Sequence, residues 1–167
     1  KAAAVIGVVN AYVPRGGGGP FPTEIVGGIG DVLREQGAEY GATTGRPRRC
    51  GWFDLVGCRH AIRTSGVSAL AITKLDVLDQ LDTIRVCTAY KAGSRTVKSF
   101  PADLRTLEEA KPVYRDLPGW KKPTTAARKL ADLPAAARSY LREIEKELGV
   151  KVTMLSGGPE RLQTVVT

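Results

Sequence analysis

The sequence predicts a layered α/β fold, a mostly parallel sheet with flanking helices, because strand and helix patterns alternate along the chain. Apolar runs of strand length occupy residues 2–12 and 67–73, and residues 83–91 alternate in the way a strand does. Apolar residues recur with helical spacing in the segments between and after them, most clearly in residues 134–149. This order is typical of parallel strands joined through helices.

The N-terminal third of the chain contains one predicted strand and two predicted helices. Residues 2–12 form a buried strand, and the glycine- and proline-rich stretch 14–24 forms a loop. Thr23 is expected to cap a helix that runs to a stop at Gly37. A second helix is expected over residues 53–66, where a glycine again ends it.

The remainder of the chain continues the alternation. The predicted elements are a central strand at 67–73, a strand at 83–91, a short helix and an irregular excursion within 101–123, a helix with Pro134 in its first turn and Gly149 at its end, a strand at 150–155, a turn at 156–159 and a last strand at 162–166. The long helix has an apolar stripe made of Tyr140, Leu141, Ile144 and Leu148.

Composition limits the classes of function. The 167 residues suit one domain, and 43% hydrophobic with 25% charged residues is typical of a folded chain. A net charge of +8 suits an anionic ligand but does not separate nucleotides from nucleic acid. No apolar run approaches the roughly 18 residues of a membrane span. The three cysteines show no CxxC spacing, which disfavours a disulfide scaffold or zinc site and favours a reducing cytoplasm.

The stretch GATTGRPRRCGW, residues 41–52, concentrates positive charge in a turn-forming segment. Its guanidinium forks suit carboxylate and phosphate groups, and its threonines add hydroxyl groups. The alternatives are a solvated basic loop and a nucleic-acid surface. Aromatic residues make up only 6% of the chain and do not interleave with the basic ones, which disfavours stacking on exposed bases.

The tetrapeptides TKLD and SGGP each follow a predicted strand, where open α/β sheets bind ligands. The carboxylate of Asp76 can accept hydrogen bonds from the N1–H and N2–H₂ edge of guanine, and Lys74 can lay its stem across a purine. Ser156 offers a hydroxyl group, while Gly157 and Gly158 allow a close backbone approach. Taken alone, TKLD is better explained by a surface turn, and a plain turn explains SGGP equally well.

No acid–base machinery follows from these residues alone. The glycine run at 15–19 lacks the lysine and the serine or threonine that complete a phosphate-binding loop. His60 is the single histidine, lies in a predicted helix, and is expected to be structural. With one histidine and no paired carboxylates in a loop, these residues do not assemble a general acid–base pair.

Taken together, these stretches resemble the C-terminal part of adenylosuccinate synthetase. The matching stretches, in the family's order, are GPFPTE, GATTGRPRRCGWFD, ALAITKLDVLD, FPADL, VYRDLPGW, LPAAARSYLREIE and SGGPER. The fold implied is the C-terminal part of a P-loop-like, mostly parallel sheet with flanking helices, a single domain piece over residues 1–167. The family is a cytoplasmic, homodimeric ligase of AMP biosynthesis. It converts IMP, L-aspartate and GTP, with Mg²⁺, into adenylosuccinate, GDP and phosphate, and neither nucleic acid nor a membrane is a partner.

The resemblance also implies residue roles. The aspartate-binding loop would consist of Ala42, Thr43, Thr44, Gly45, Arg46, Pro47 and Arg48. IMP would be contacted by Arg46 and by Gly16, which stands where the family usually has valine. GTP would be contacted by Arg48, Lys74, Leu75, Asp76, Ser156, Gly157 and Gly158.

The family's glycine-rich phosphate loop, catalytic aspartate, catalytic histidine and magnesium ligands match no residue of this chain. The expectation is that the chain alone is inactive and that the magnesium ligands belong to a missing N-terminal part. The alternative is a non-catalytic guanine-nucleotide-binding or interaction module derived from the family, and basic RNA binding is a third hypothesis.

Overall fold

The computed structural model describes residues 4–167, and the chain divides into two compact units. The first unit contains the chain up to Ala11 together with Cys58–Ile84 and Asp116–Thr167. The second unit contains Tyr12–Gly57 and Arg85–Arg115. Each unit is therefore assembled from segments that are far apart in the sequence.

Ten strands and four α-helices make up the described chain. The strands are β1 (Ile6–Asn10), β2 (Val13–Arg15), β3 (Arg49–Gly51), β4 (Phe53–Asp54), β5 (Ala69–Thr73), β6 (Thr83–Ala92), β7 (Arg95–Val97), β8 (Lys111–Pro118), β9 (Lys151–Ser156) and β10 (Thr164–Val166). The helices are α1 (Ile29–Gln36), α2 (Leu55–Ser65), α3 (Leu104–Glu109) and α4 (Ala135–Leu148). Short 3₁₀ helices occupy Leu75–Leu78, Leu130–Asp132 and Arg161–Gln163. Across residues 4–167, no helix has the length and apolarity needed to cross a membrane.

The first unit is built on a four-stranded sheet in the order β1-β5-β9-β10. Strands β1, β5 and β9 run parallel, and β10 is antiparallel to β9. The carboxyl ends of β5 and β9 therefore meet at one edge of the sheet, and this is where the TKLD and SGGP segments begin. The predicted α/β class with a mostly parallel sheet is confirmed.

Helix α4 buries its predicted stripe in the first unit. All four residues of that stripe are buried: Tyr140, Leu141, Ile144 and Leu148. Pro134 is the residue before the first turn rather than part of it, and Gly149 ends the helix in the left-handed conformation (φ 70°). The Tyr140 hydroxyl donates to the carbonyl oxygen of Ala11 at 2.6 Å, which fastens α4 to the chain beyond β1.

The second unit is centred on β6, which pairs with β4 in parallel, with β7 antiparallel, and with β8. Its core contains Val56, Cys87, Tyr90 and Ala110, and Phe100 packs edge-on against Tyr90 at 6.3 Å between ring centroids. Both faces of β6 contribute buried side chains. Cys87 and Ala89 lie on one face of the strand and Tyr90 lies on the other, and all three are buried.

The predicted start of α1 is wrong. The helix begins at Ile29 after Gly28, and Thr23 does not cap it. Thr23 instead lies beside β3, where its carbonyl oxygen accepts a hydrogen bond from the N–H of Trp52 at 3.1 Å. Gly28 has a positive φ of 45°, which glycine adopts readily, and it breaks the helical path before Ile29. The predicted end at Gly37 is confirmed.

Other predicted boundaries differ because pairing over long distances set them. Strand β1 is shorter than predicted, and the start of that prediction, residues 2–3, lies outside the described residues. The predicted loop 14–24 begins inside β2, and the predicted helix 53–66 begins with β4. Most of the predicted irregular excursion is β8, and the predicted last strand begins with a 3₁₀ turn. Strand β7 was not predicted.

Candidate functional site

The arginine loop, residues 41–48, closes on itself in the second unit between α1 and β3. The N–H of Gly41 donates to the carbonyl oxygen of Arg46, and the N–H of Gly45 donates to that of Gly41, both at 2.8 Å. The Thr44 hydroxyl accepts the N–H of Arg46 at 3.3 Å. Gly45 has φ 64°, which explains the glycine at this turn. The loop therefore presents a defined, solvent-facing backbone.

Every residue from Ala42 to Pro47 is exposed, including the side chains of Thr43, Thr44 and Arg46. Arg48, at the base of the loop, is half-buried. Exposed hydroxyl and guanidinium groups on one short loop can hold a dianionic ligand such as a dicarboxylate.

A buried carboxylate holds the base of this loop. Glu39 is 0% exposed and accepts a hydrogen bond from the Arg48 guanidinium at 2.8 Å and one from the Tyr12 hydroxyl at 2.5 Å. The N–H of Arg48 also donates to the Glu39 carbonyl oxygen at 2.8 Å. Glu39 was not among the predicted site residues, because a glutamate just after a helix end has the pattern of a surface residue.

The third arginine of the predicted cluster serves the fold. Arg49 donates to both carboxylate oxygens of Glu24, at 2.8 and 2.5 Å, and to the carbonyl oxygen of Gly19 at 2.8 Å. The hydrogen bond from Arg49 holds the pKa of Glu24 below its ordinary value. Arg49 therefore anchors the glycine run, whereas Arg46 remains directed to solvent. Gly16, in that run, is exposed, and a side chain added there would meet no neighbouring atom.

In the first unit, the TKLD segment places a carboxylate at the end of β5. Lys74 adopts the left-handed conformation (φ 57°) and turns the chain into the 3₁₀ helix Leu75–Leu78. Leu75 is fully buried and holds this turn to the core. Oδ1 of Asp76 is buried, and within residues 4–167 it has no hydrogen-bond partner. Burial raises the pKa of Asp76 above the ordinary 3.8, against the opposing effects of its own backbone N–H and the Lys74 charge.

The SGGP turn begins at the end of β9, the neighbour of β5. The Ser156 hydroxyl donates to the carbonyl oxygen of Gly158 at 2.6 Å, which tightens the turn. A Cβ on Gly157 would lie 2.8 Å from the Thr124 carbonyl oxygen, and one on Gly158 would lie 2.3 Å from Oε1 of Gln163. The backbone contact requires a glycine at 157, whereas at 158 the flexible end of the Gln163 side chain would have to move. The Leu75–Leu78 helix lies against β9, so the two predicted guanine segments occupy one edge of the first unit.

Two further features bear on chemistry. Across the described residues 4–167, no group of three or more His, Cys, Asp and Glu side chains could hold a metal ion. His60 lies on α2, and its carbonyl oxygen accepts the Thr64 hydroxyl at 3.0 Å.

The parallel strands and the loops at their carboxyl ends define an α/β protein, a class in which ligands generally bind at that edge of the sheet. A family model described as adenylosuccinate synthetase matches residues 1–165. The chain is 55% identical over 162 residues to the adenylosuccinate synthetase of Moorella thermoacetica and 53% identical over 162 residues to that of Carboxydothermus hydrogenoformans. Each alignment covers 97% of this chain and 38% of the relative.

The fold agrees with these similarities. A solved structure described as fully ligated adenylosuccinate synthetase from Plasmodium falciparum superposes with a TM-score of 0.95 at 36% identity, covering 98% of this chain and 40% of that one. The chain belongs to the adenylosuccinate synthetase family. It spans 38% of the length of the curated relatives named here, and the resemblance expected from the sequence is confirmed.

Proposed function

We propose that this chain supplies the guanine-recognition and aspartate-binding loops of an adenylosuccinate synthetase, a GTP-dependent ligase that joins IMP and L-aspartate in AMP biosynthesis. Family membership supports the proposal. The observation that carries it is Oδ1 of Asp76, a buried acceptor with no donor within residues 4–167, at the strand end where this fold class binds ligands.

Guanine supplies the donors that Asp76 lacks. Its N1–H and N2–H₂ groups can reach both oxygens of one carboxylate, whereas adenine has no such pair of donors. An unmatched buried carboxylate is costly, so a base that satisfies it is favoured strongly over one that does not. The remaining contacts on the GTP side are proposed for Arg48, Lys74, Leu75, Ser156, Gly157 and Gly158.

The arginine loop is proposed to bind the second substrate. The exposed groups from Ala42 to Pro47, together with half-buried Arg48, suit the two carboxylates of L-aspartate. Arg46 and Gly16 are proposed to contact IMP. In the proposed reaction GTP phosphorylates the 6-oxygen of IMP, and the aspartate amine then displaces phosphate. Guanidinium groups near the reacting atoms would steady the charge on the transferred phosphoryl group.

Mg²⁺ neutralises nucleotide phosphates in phosphoryl transfer. Because the family's catalytic aspartate, catalytic histidine and magnesium ligands match no residue of this chain, the chain alone is expected to bind nucleotide without turnover. A cytoplasmic location and a homodimeric assembly are proposed from the family.

The proposal is tested by titrating the 167-residue chain with GTP, ATP, XTP and a short RNA in a calorimeter. The unaltered chain is expected to prefer GTP. Asp76→Asn is expected to prefer XTP, because the asparagine amide can donate to the 2-oxygen of xanthine but faces the 2-amino group of guanine. Asp82→Asn is the matched control, since the Asp82 side chain is 80% exposed.

Unchanged GTP binding by Asp76→Asn would contradict the assignment of guanine recognition. Tighter binding of RNA than of GTP would favour the nucleic-acid hypothesis instead. Incubation with IMP, L-aspartate, GTP and Mg²⁺ tests catalysis separately, and product formation would refute the expected inactivity of the chain alone.

A further inference from the structure

Asp79 is a second buried carboxylate in the first unit, three residues beyond Asp76. It is 6% exposed, and three donors surround it. Oδ1 accepts the indole N–H of Trp120 at 2.6 Å and the Thr124 hydroxyl at 3.0 Å, while Oδ2 accepts the backbone N–H of Thr124 at 2.8 Å. Both oxygens are therefore used inside the protein, so Asp79 is not a ligand-binding carboxylate.

These bonds connect Asp79 to both guanine segments. On one side, the Asp79 N–H donates to the Asp76 carbonyl oxygen at 3.0 Å, which closes the 3₁₀ turn that carries Asp76. On the other side, Thr124 forms the surface against which the SGGP turn rests, because a Cβ on Gly157 would be 2.8 Å from the Thr124 carbonyl oxygen. The Asp79 carboxylate therefore connects the turn that contains Asp76 to Thr124, the residue against which Gly157 packs.

The partners of Asp79 are themselves held in place. The ring of Trp120 packs against that of Tyr140 at 6.0 Å between centroids, and Tyr140 is tied to the chain beyond β1. The N–H of Gly119 donates to the Asp82 carbonyl oxygen at 2.8 Å. Trp120 and Thr124 are thus part of a packed framework, and this framework can define the position of Asp79.

We propose that Asp79 is a positioning residue for guanine recognition: it holds the Asp76 turn and the Gly157 support in the relative arrangement that lets one carboxylate read both N–H groups of the base. This inference rests on the proposed function. Only a carboxylate offers acceptors to all three donors, because an asparagine in its place must turn an NH₂ group towards Trp120 or Thr124.

The positioning role predicts a change in base selectivity. ITP keeps the N1–H of guanine and lacks the 2-amino group, so the ratio of GTP to ITP affinity reports the second hydrogen bond to Asp76. Both bonds form only when the carboxylate has the correct orientation, so a shift of the Asp76 turn leaves at most one of them well aligned and the ratio falls. A purely structural role for Asp79 would weaken GTP and ITP equally, by lowering the folded fraction, and would leave the ratio unchanged.

The experiment measures GTP, ITP and ATP binding by calorimetry for the unaltered chain, Asp79→Asn and the exposed control Asp82→Asn. Asp79→Asn is expected to weaken GTP binding roughly ten- to a hundredfold and ITP binding less. Asp79→Asn should bind ATP as the unaltered chain does. Asp82→Asn should keep the affinities of the unaltered chain for all three nucleotides. Trp120→Phe is the milder variant, which removes one donor and keeps both bonds from Thr124, and it decides the matter if Asp79→Asn does not fold.

The outcomes are distinguishable. If the unaltered chain prefers GTP over ITP and both Asp79→Asn and Trp120→Phe keep that ratio of affinities, the positioning role is refuted and the proposed function stands. If the unaltered chain shows no preference for GTP over ITP, guanine recognition itself fails, and the role of Asp79 fails with it.

Discussion

Removing the Tyr12 hydroxyl should destabilise the second unit, because that hydroxyl donates a hydrogen bond to a carboxylate that has no access to water. Glu39 is 0% exposed, and Tyr12, itself buried, donates to its Oε1 at 2.5 Å. A hydrogen bond to a charged group contributes about 1.5–3 kcal/mol. Tyr12→Phe deletes this bond while keeping the ring, so we expect the free energy of unfolding to fall by that amount.

The matched control is Tyr40→Phe. The Tyr40 hydroxyl also donates to a glutamate, Glu35, but this pair is exposed to water. Water can replace the lost donor there, so the control is expected to leave stability unchanged. The comparison therefore isolates burial, since both variants remove one tyrosine hydroxyl from a glutamate.

The assay is urea unfolding followed by far-ultraviolet circular dichroism, with thermal unfolding as a second measurement. For a chain of this size the expected loss corresponds to roughly 3–12 °C in Tm. Equal stability of Tyr12→Phe and Tyr40→Phe would refute the reasoning. Glu39 also accepts a hydrogen bond from Arg48, so a confirmed loss at Tyr12 would show that the buried hydrogen bonds at the base of the arginine loop contribute to stability.

Two further predictions use acid–base properties. Because burial raises the pKa of Asp76 above 3.8 and guanine favours the ionised form, GTP affinity should fall as the pH drops through that raised pKa and level off above it. The neighbouring Lys74 charge moves this window to lower pH. Asp76→Asn is the control, because its calorimetric profile should lack this step; an identical profile for the two proteins would contradict the prediction. Burial raises the pKa of Cys87 to about 12, so a thiol-alkylating reagent should modify half-buried Cys58 well before it, as peptide mass mapping would show; equal rates would be inconsistent with the buried position.

Local patterns in the sequence were sufficient for several elements. The period of apolar residues predicted the buried stripe of α4, and the glycines at 37 and 149 marked true helix ends. The alternating run at 83–91 lies within β6. Such features are readable because helix and strand periods and glycine stops depend on neighbouring residues along the chain.

Elsewhere the predictions from local patterns were wrong, because pairing between distant segments determined the structure. Thr23 has the local pattern of a helix cap, but its backbone is engaged beside β3. The proline-containing β8 was predicted to be irregular, yet it pairs with β6. A proline is compatible with a strand where its missing N–H is not needed for pairing, and only the fold reveals which side of a strand is paired.

The sequence by itself determined the family, the α/β class and the segments that carry the candidate site, because these depend on motifs and on periodicity. Only the tertiary structure decided which polar groups are buried and what each of them contacts. It distinguished the buried acceptor of Asp76, which lacks a donor within residues 4–167, from the carboxylates of Glu39 and Asp79, which are occupied by protein donors. The physical reason is that the cost of a buried charge depends on contacts made by residues distant in the chain, and no local pattern records those contacts.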